Sequence, residues 1–466
     1  MKKILKNLSY TFMANMLSTI ISMIVTLTIP KLIGVESYGY FQLYMLYFTY
    51  LGIFHFGWVD GMYLQIGGEE YSSLDKRKYG TQFSMFLFFE FILSLILVAF
   101  TLLFVPDENK LFVLVAASIC MFIYNSNIFV QFILLATNML KKYSFIIILD
   151  RIIYLALVFL FLFFFKTGSF KGLILADILA RTISLVYAVI TNRKLLLSKP
   201  IDIRSSLTDI KENILIGYKV TFGGIAGIFI TGLIRFMIEF KWGIAFFGKV
   251  SLTLTLSNLM MIFVNAVSMV VFPILRRTDE SQLSPLYKKM NSLLMTGIFC
   301  AMVFYYPLKS VLVLWLPQYA DSLRYMAIVF PIIIYNSKTS MLINTFLKTI
   351  RREQVILTSN IISVAVSLVL GILFVFLIPN PNLAIFSIVI SLAIRSFLAE
   401  RKLAGYLDIS ISKEVLSETV LTLLFIVINW YVNSALSMLL YGAVLLIYVY
   451  KFSDIGTSIK FIKEKI

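Results

Sequence analysis

The chain has 466 residues, of which 60% are apolar, 15% are aromatic and only 14% are charged. A soluble globular protein carries about 25% charged residues, so this composition excludes a cytosolic enzyme and also a disordered chain. The two cysteines, Cys120 and Cys300, lie within apolar runs, which excludes a disulfide scaffold. The composition therefore indicates an integral membrane protein, and the formal net charge of +17 has to be interpreted as part of its topology.

The apolar runs predict the membrane-spanning helices in chain order. A helix that crosses the hydrocarbon core needs about 20 mostly apolar residues. About fourteen such runs occur, near residues 8–33, 40–66, 79–104, 111–135, 144–165, 172–191, 214–240, 244–272, 290–316, 322–347, 354–378, 383–400, 416–433 and 434–450. The last two are short, so a re-entrant pair is an alternative to two separate spans. The first run follows a basic start but is too long for a signal peptide, which favours an uncleaved first helix.

The distribution of lysine and arginine predicts the orientation. If the N-terminus is cytoplasmic, the inner segments contain 27 basic residues and the outer loops contain only four, Lys110, Lys166, Lys171 and Lys241. Cytoplasmic loops of membrane proteins carry the excess of positive charge. We therefore expect both termini in the cytoplasm, and much of the net charge to face anionic lipid headgroups rather than nucleic acid.

Three short sequence matches predict an internal repeat. They recur at nearly the same offset, and they are Ile123–Asn127 with Ile334–Lys338, Gly34 and Gly39 with Gly243 and Gly248, and Lys141-Lys142 with Arg351-Arg352. Repeated halves are common in transporters. The matches predict four segments, which are an N-terminal lobe (1–191), a cytoplasmic linker with an amphipathic helix (192–213), a C-terminal lobe (214–404) and an appended pair of helices with a basic tail (405–466). Six helices per repeat place the symmetry axis along the membrane normal, with a central cleft between the lobes.

Charged residues within the spans are the candidate functional residues. A charge at the centre of a bilayer costs several kcal/mol unless it faces water or a partner. We interpret seven basic residues as a positively charged cleft that receives an anion: Lys338, Arg181, Arg151, Lys249, Lys309, Arg235 and Lys31. Five acidic residues are candidate charge partners or ion-coupling groups: Asp60, Glu90, Asp150, Asp177 and Glu239.

The alternative to a cationic cleft is neutralisation within the protein. Asp177 and Arg181 are spaced i,i+4, as are Arg235 and Glu239, so each pair can form on one helix face. Lys338 has no acidic residue within a turn, and Arg151 has only the adjacent Asp150, which we expect to point to another face. Pairing between helices with Asp60, Glu90 and Asp150 would leave the cavity nearly neutral.

The twin Tyr-Asn segments of the repeat are candidate sugar contacts. They place Tyr124 and Asn125, and likewise Tyr335 and Asn336, at corresponding positions of the two lobes. Phenol and amide groups together offer donors and acceptors that match sugar hydroxyls.

Several kinds of chemistry are not expected. Gly243–Lys249 matches the start of a phosphate-binding loop, but Val250 replaces the required Ser or Thr and no strand precedes it. One histidine and two distant cysteines give no zinc site, and we expect no metal and no cofactor. The outer loops are too short to hold the acidic residues of a glycan-assembly enzyme, so a transporter is favoured over an enzyme.

Several motifs resemble those of a known family. Ile29–Phe41, with the sequence IPKLIGVESYGYF, is similar to the opening signature of polysaccharide flippases. These flippases belong to the multidrug/oligosaccharidyl-lipid/polysaccharide (MOP) exporter superfamily. Lys31 replaces the usual arginine of the signature. Similarity continues through Phe56–Gly61, Leu135–Tyr143 and Phe272-Pro273 and covers essentially the whole chain.

This resemblance implies an all-α, MATE-like, two-lobed bundle that flips undecaprenyl-diphosphate-linked oligosaccharide from the inner to the outer leaflet by alternating access. The implied place is the bacterial cytoplasmic membrane, the implied purpose is surface polysaccharide assembly, and the implied partners are membrane lipids and the polysaccharide polymerase machinery. A lipid II flippase and an ion-coupled multidrug antiporter of the same superfamily are the alternatives. The excess of basic groups counts against the antiporter.

Overall fold

The computed structural model of the protein describes residues 2–164, 168–198, 203–259, 278–432 and 434–452, together with 261, 264 and 275. All regular secondary structure in these ranges is helical, as the composition predicted. The chain divides into two compact units, Met1–Ile225 and Ala226–Ile466. The boundary between them falls inside a long helix, α9.

The first unit contains α1 to α8 and the start of α9. The bounds are α1 Lys2–Leu32, α2 Val35–Phe48, α3 Trp58–Gln65, α4 Lys76–Phe104, α5 Glu108–Ala136, α6 Leu140–Phe159, α7 Phe170–Thr191, α8 Arg193–Leu196 and α9 Ile203–Asn258. A 3₁₀ turn, Leu51–His55, separates α2 from α3, and a π-helical turn, Leu160–Phe164, extends α6.

The second unit contains the rest of α9 and the remaining helices. The bounds are α10 Glu280–Met302, α11 Tyr305–Trp315, α12 Met326–Val329, α13 Ile332–Ser337, α14 Asn344–Thr349, α15 Glu353–Gly371, α16 Pro381–Leu407, α17 Ser412–Tyr431 and α18 Leu436–Phe452. A π-helical segment, Lys338–Ile343, joins α13 to α14, and another, Ile372–Leu377, extends α15.

Polar side chains fix the starts of several helices. Asp75, Asp107, Ser169 and Asn380 each accept hydrogen bonds from backbone N–H groups in the first turn of the following helix. These N–H groups have no partner within a helix, so a capping side chain stabilises the start by about 1 kcal/mol. The helices therefore begin at polar residues close to the predicted ends of the apolar runs.

Within the described ranges, nine helices are long and apolar enough to cross a membrane, and up to eleven if each of two bent pairs forms one span. One of the nine is the long helix α9, which includes the predicted span 214–240 and is interrupted at Gly243, where the backbone is not helical. The predicted span 40–66 is not one helix, because α2, the 3₁₀ turn and α3 divide it. The count of fourteen stays a prediction.

The predicted division into four segments also stays a prediction. Within the predicted linker, α8 and the start of α9 are helical. Residues 199–202 of that linker, the tail from 453 onward and the Phe272-Pro273 motif lie outside the described residues.

Each unit has its own apolar core. In the first unit, Trp58 of α3 contacts Phe86 edge-on at 5.1 Å between ring centroids, and Phe86 lies 5.2 Å from Phe129 of α5. In the second unit, the ring of Tyr287 on α10 meets that of Phe346 on α14 at 5.1 Å. These cores hold the helices that carry the buried charges.

Three glycines let α3 and α9 pack backbone against backbone. A Cβ on Gly61 would overlap the backbone of Asn213, and a Cβ on Gly217 would overlap the carbonyl group of Gly57. Gly57 also has φ +88°, a conformation that favours glycine. This contact gives a physical reason for the two glycines of the Phe56–Gly61 motif.

Candidate functional site

A buried arginine centre lies in the first unit on α7. Arg181 donates from Nε to Asp177 Oδ2 at 2.8 Å, and the Tyr44 hydroxyl donates to the same oxygen at 2.7 Å. Asp177 and Arg181 are 1% and 5% exposed. The i,i+4 pair expected from the sequence is therefore formed, and Tyr44 of α2 holds its carboxylate in place.

Two aromatic rings hold the guanidinium of Arg181. Its central carbon lies 4.0 Å from the ring centroid of Phe48 and 5.6 Å from that of Tyr124. Such contacts stabilise a cation while leaving its in-plane N–H groups available. No described residue accepts a hydrogen bond from its two terminal nitrogens, so Arg181 retains a planar pair of donors that suits a phosphate group.

Asp150 and Arg151 of α6 lie beside this centre. Arg151 Nε is 3.6 Å from Asp150 Oδ2, so the expectation that these adjacent side chains point to different faces is wrong. Both side chains bend toward each other from successive positions of one helix. Asp150 is also within electrostatic range of Arg181, so the centre contains two arginines and two carboxylates and is close to neutral.

Glu90 and Asn125 form a second polar contact in the same unit. Asn125 of α5 donates from its amide nitrogen to both carboxyl oxygens of Glu90 on α4, at 3.0 and 3.1 Å. The same nitrogen lies 3.1 Å from the carbonyl oxygen of Leu51 in the 3₁₀ turn. Both side chains are 0% exposed. Asn125, a predicted sugar contact, is therefore engaged with a carboxyl group between helices.

Asp60 of α3 lies near the only histidine of the chain. The Thr221 hydroxyl of α9 donates to Asp60, and His55 Nε2 lies 4.0 Å from the same carboxylate oxygen. This contact joins α3 to α9 next to the close glycine contact. Among the described residues, Asp60 makes polar contacts with Thr221 of α9 and with His55 of the 3₁₀ turn.

Lys338 is the centre of a buried ion triad in the second unit. Its Nζ lies 2.8 Å from Glu400 Oε2 on α16 and 2.6 Å from Glu418 Oε2 on α17. Tyr287 donates to Glu400 at 2.8 Å, and Asn291 donates to Glu418 at 3.2 Å. The three charged side chains are between 2% and 7% exposed. Lys338 has no acidic residue within a turn of its own helix, and its partners come from two other helices.

The second Tyr-Asn pair contacts different groups from the first. Asn336 accepts a hydrogen bond from Arg395 Nη2 of α16 at 2.8 Å. Tyr335 lies beside Thr422 of α17. The corresponding Asn125 of the first unit contacts a carboxylate, so the two repeat positions face groups of opposite charge.

The other candidates are dispersed. Arg235 Nη2 donates to Ser251 at 3.0 Å and its guanidinium lies 5.4 Å from the ring of Phe247. Four candidates make no described contact with the Arg181 centre or with the Lys338 triad. Of these, Lys309 is buried, Lys249 and Glu239 are partly buried, and Lys31 is exposed at the end of α1.

Sequence reasoning missed five functional candidates that the structure brings to these centres: Tyr44, Phe48, Glu400, Glu418 and Arg395. Arg395 had a signal, because it lies in mid-helix without an acidic residue within four positions. The other four had none, since their contacts join residues between 62 and 133 positions apart or arise only from helix packing. Whether any of the candidates touches a substrate stays a prediction.

Comparisons with known proteins agree on the family and the fold. The family model described as polysaccharide biosynthesis protein matches residues 4–279, which is more than half of the chain. No curated protein sequence matches the chain.

Three solved structures are similar in fold. One is an inward-facing multidrug MATE transporter of the MOP superfamily, with TM-score 0.65 and 13% identity, covering 84% of this chain and 98% of its own. Another is the lipid II flippase MurJ in an inward closed conformation, with TM-score 0.64 and 13% identity, covering 96% and 99%. The third is a MOP superfamily transporter from Pyrococcus furiosus, described by the reverse polarity of its binding pocket, with TM-score 0.57 and 11% identity, covering 86% and 96%. The predicted MATE-like fold is confirmed, and the similar structures are transporters and flippases rather than enzymes.

Proposed function

This chain belongs to the family of polysaccharide biosynthesis proteins, and from this premise we propose that it flips a lipid-linked oligosaccharide across the bacterial cytoplasmic membrane. The substrate is undecaprenyl diphosphate that carries a sugar repeat unit. It moves from the inner to the outer leaflet by alternating access and supplies surface polysaccharide assembly.

The arginine centre of the first unit is the observation that carries this proposal. An arginine in a membrane helix needs a partner or a wet cavity to offset its cost. Asp177 supplies the partner and contacts Nε alone, and the rings of Phe48 and Tyr124 lie beside the guanidinium. The terminal nitrogens are then left for the oxygens of a diphosphate, which accept charge-assisted hydrogen bonds from a planar pair of donors.

The polar residues around Arg181 suit the rest of the substrate. The Tyr124 ring offers a flat face and a hydroxyl beside the cation, the combination that binds a sugar ring. The prenyl chain needs no protein cavity, since it stays in the hydrocarbon of the bilayer. Recognition of the headgroup alone is therefore sufficient for a flippase.

A lipid II flippase is the second candidate. The MurJ structure covers 96% of this chain, whereas the MATE structures cover between 84% and 87%. The similarity to MurJ therefore extends over more of this chain than the similarity to the MATE structures does. The multidrug MATE structure matches with a similar TM-score, 0.65 against 0.64, but over less of the chain.

Transport in proteoliposomes tests the proposal. We expect wild-type protein to move fluorescent undecaprenyl-diphosphate oligosaccharide into a compartment protected from an external quencher. Arg181→Gln should slow this movement about 10- to 100-fold, because a charge-assisted hydrogen bond contributes about 1.5–3 kcal/mol. Lipid II assayed in parallel distinguishes the two candidate substrates, and a cationic dye tests the antiporter.

Two controls separate transport from folding. Arg181→Gln leaves Asp177 buried without its cation, so the double variant with Asp177→Asn restores neutrality and should still fail to transport. Arg193→Gln removes an exposed arginine two residues beyond the end of α7 and should transport like wild type. Undiminished flipping by the folded double variant would refute the role of Arg181, and absence of flipping by wild type would refute the function.

A further inference from the structure

A cavity of about 610 Å³ lies beside the C-terminal turns of α16 in the second unit. It is separate from the Arg181 centre and from the Lys338 triad. Its described lining residues are Leu398, Arg401, Lys402, Gly405 and Tyr406. Their spacing of three and four positions places them on one face of the helix, so this face borders open space.

Arg401 and Lys402 bring two positive charges to the cavity. Both side chains are exposed, and neither makes an ion pair or a hydrogen bond with any residue that the structure describes. The adjacent Glu400 is not their partner, because its carboxylate contacts Lys338 and Tyr287. The cavity therefore offers cationic donors that the described protein does not neutralise.

A third cation fixes one wall of the cavity. The guanidinium of Arg352, which precedes α15, lies 4.9 Å from the ring centroid of Tyr406. This cation–π contact orders the ring and adds positive charge at the cavity. Glu353 and Asp408 are the exposed carboxylates that follow in the chain, and within the described ranges neither forms an ion pair with the three cations. Positive charge therefore exceeds negative charge here.

Residue types change along this face in the order of the parts of a phospholipid. Toward the middle of α16, Phe397 is 41% exposed and Leu398 lines the cavity, so this end is apolar. One turn later, Arg401 and Lys402 supply donors. After one more turn, a Cβ at Gly405 would meet nothing within 4 Å. Acyl chain, phosphate and headgroup follow the same order from the bilayer centre to water.

The length of α16 places these donors at the surface of the bilayer. The helix has 27 residues and begins at Pro381, on the side that we predict to be outer. About 20 residues, at about 1.5 Å each, cross a hydrocarbon core of about 30 Å. With this start, the helix leaves the core near Arg401. Basic residues at this depth on the cytoplasmic side meet the anionic lipids of the inner leaflet.

We propose that this cavity binds the headgroup of an anionic phospholipid from the inner leaflet. The phosphate oxygens accept charge-assisted hydrogen bonds from Arg401 and Lys402. The polar end of the headgroup occupies the space beside Gly405, and the acyl chains pass Leu398 into the bilayer. The excess of positive charge favours phosphatidylglycerol over phosphatidylcholine, whose ammonium group it repels.

This lipid is a bound ligand and not the transported substrate, so the proposal goes beyond the function proposed above. Because a ligand that binds only the folded protein stabilises it, the bound lipid should raise Tm. The site lies next to Glu400 of the Lys338 triad and reaches the start of α15 through Arg352. Lipid binding should therefore stabilise the helices of the second unit.

Lipid titrations of the full-length protein in dodecyl maltoside test the site. The probes are dioctanoyl phosphatidylglycerol and dioctanoyl phosphatidylcholine. Native mass spectrometry gives Kd, and intrinsic fluorescence gives Tm. We expect phosphatidylglycerol to bind more tightly and to raise Tm further. Arg401→Gln combined with Lys402→Gln should raise Kd for phosphatidylglycerol about 10- to 30-fold and remove most of the increase in Tm.

Two further variants separate a site from general surface charge. Lys288→Gln combined with Lys413→Gln removes two exposed lysines of α10 and α17 from the same predicted side, away from the cavity. This matched control should keep the wild-type Kd. Gly405→Leu fills the cavity without a change in charge and should raise Kd as well. All three variants should match the wild-type Tm without lipid, because the replaced residues make no described side-chain contact.

The outcomes are distinct. A wild-type Kd for phosphatidylglycerol in Arg401→Gln with Lys402→Gln, or in Gly405→Leu, would overturn the inference. Equal weakening by the two double variants would also overturn it, since diffuse attraction to a positive surface would then explain the binding. Inorganic phosphate that raises Tm as much as phosphatidylglycerol would refute a lipid ligand. None of these measurements involves transport, so failure of flipping and failure of this site are distinguishable.

Discussion

Buried cations in the two units differ in how far the protein neutralises them. One carboxylate contacts Arg181, two contact Lys338, and none in the described residues contacts Arg395. Removal of a charge from water costs several kcal/mol per ion, and good geometry is needed to recover it. The Lys338 triad has that geometry, with two short ion pairs and two supporting hydrogen bonds. Its position between three helices makes it a structural element whatever else it contacts.

Removal of the Lys338 charge should destabilise the protein. Lys338→Met leaves Glu400 and Glu418 close together without their cation, and breaking a buried ion pair costs about 3–5 kcal/mol. We expect a clear decrease in Tm, measured by intrinsic fluorescence of detergent-solubilised protein. A triple variant, Lys338→Met with Glu400→Gln and Glu418→Gln, should recover much of the loss, because no uncompensated charge remains.

An unchanged Tm in Lys338→Met would show that the triad contributes little to folding. A decrease that the triple variant does not recover would show that packing, not charge, is responsible. Loss of transport by Lys338→Met would therefore report the disturbed helices around the triad rather than a lost substrate contact.

At these residues, the sequence predicts contacts within a helix but not between helices. The pair of Asp177 and Arg181 could be predicted because i,i+4 spacing places both on one helix face. The partners of Lys338 lie 62 and 80 positions away, and only packing brings them close. One contact within a helix was not predicted, the contact between Asp150 and Arg151. It forms because the flexible arginine side chain bends toward the adjacent position.

At the scale of elements, the contact between α3 and α9 depends on the absence of side chains. Gly57 and Gly61 from α3 and its N-terminal turn meet Gly217 and Asn213 of α9 at backbone distance. Small residues allow such close approach in membrane helices, where dispersion and hydrogen bonds replace the hydrophobic effect as the driving force. The contact also aligns Asp60 with Thr221.

A side chain at this contact should weaken the protein. Gly61→Ala places a methyl group against the backbone of Asn213, and overpacking of this kind costs about 1–3 kcal/mol, more where backbone must move. We expect a lower Tm and a lower yield of folded protein. Gly405→Ala is the matched control; nothing lies within 4 Å of its added methyl group in α16, so its Tm should equal or exceed that of wild type. Equal Tm values for Gly61→Ala and wild type would contradict the close contact.

The helices themselves follow from the sequence more closely than their interruptions. Long apolar runs with capping residues predicted α4, α5 and α7 within a few residues. The run 40–66 is mostly apolar but contains Asp60 and His55, and a 3₁₀ turn divides it because Phe56 and Gly57 both adopt positive φ. Hydropathy measures partition into lipid and not backbone geometry, so it does not detect such a break.

For the whole molecule, the charge distribution predicts an orientation that the fold does not. The fold is compatible with either orientation in the membrane. Only the distribution of basic residues, 27 on the predicted inner side and four on the predicted outer side, favours one orientation. The helix α4 is suited to a test, because its 29 residues extend about 43 Å at 1.5 Å per residue and so exceed the hydrocarbon thickness. One end follows the exposed Ser72 and the other precedes the exposed Glu108.

Labelling of single added cysteines in intact cells measures this orientation. We expect a membrane-impermeant maleimide to label Glu108→Cys but to label Ser72→Cys only after the cells are opened. The parent chain controls for the native thiols, since Cys120 is buried and Cys300 lies within α10, a helix of the bent pair that is apolar enough to span. We expect the basic residues beside Ser72 to hold that loop in the cytoplasm, so replacing Lys76, Arg77 and Lys78 with glutamine should increase external labelling of Ser72→Cys. Labelling of Ser72→Cys in intact cells without those substitutions would invert the predicted topology, and with it the leaflet from which we propose that the substrate enters.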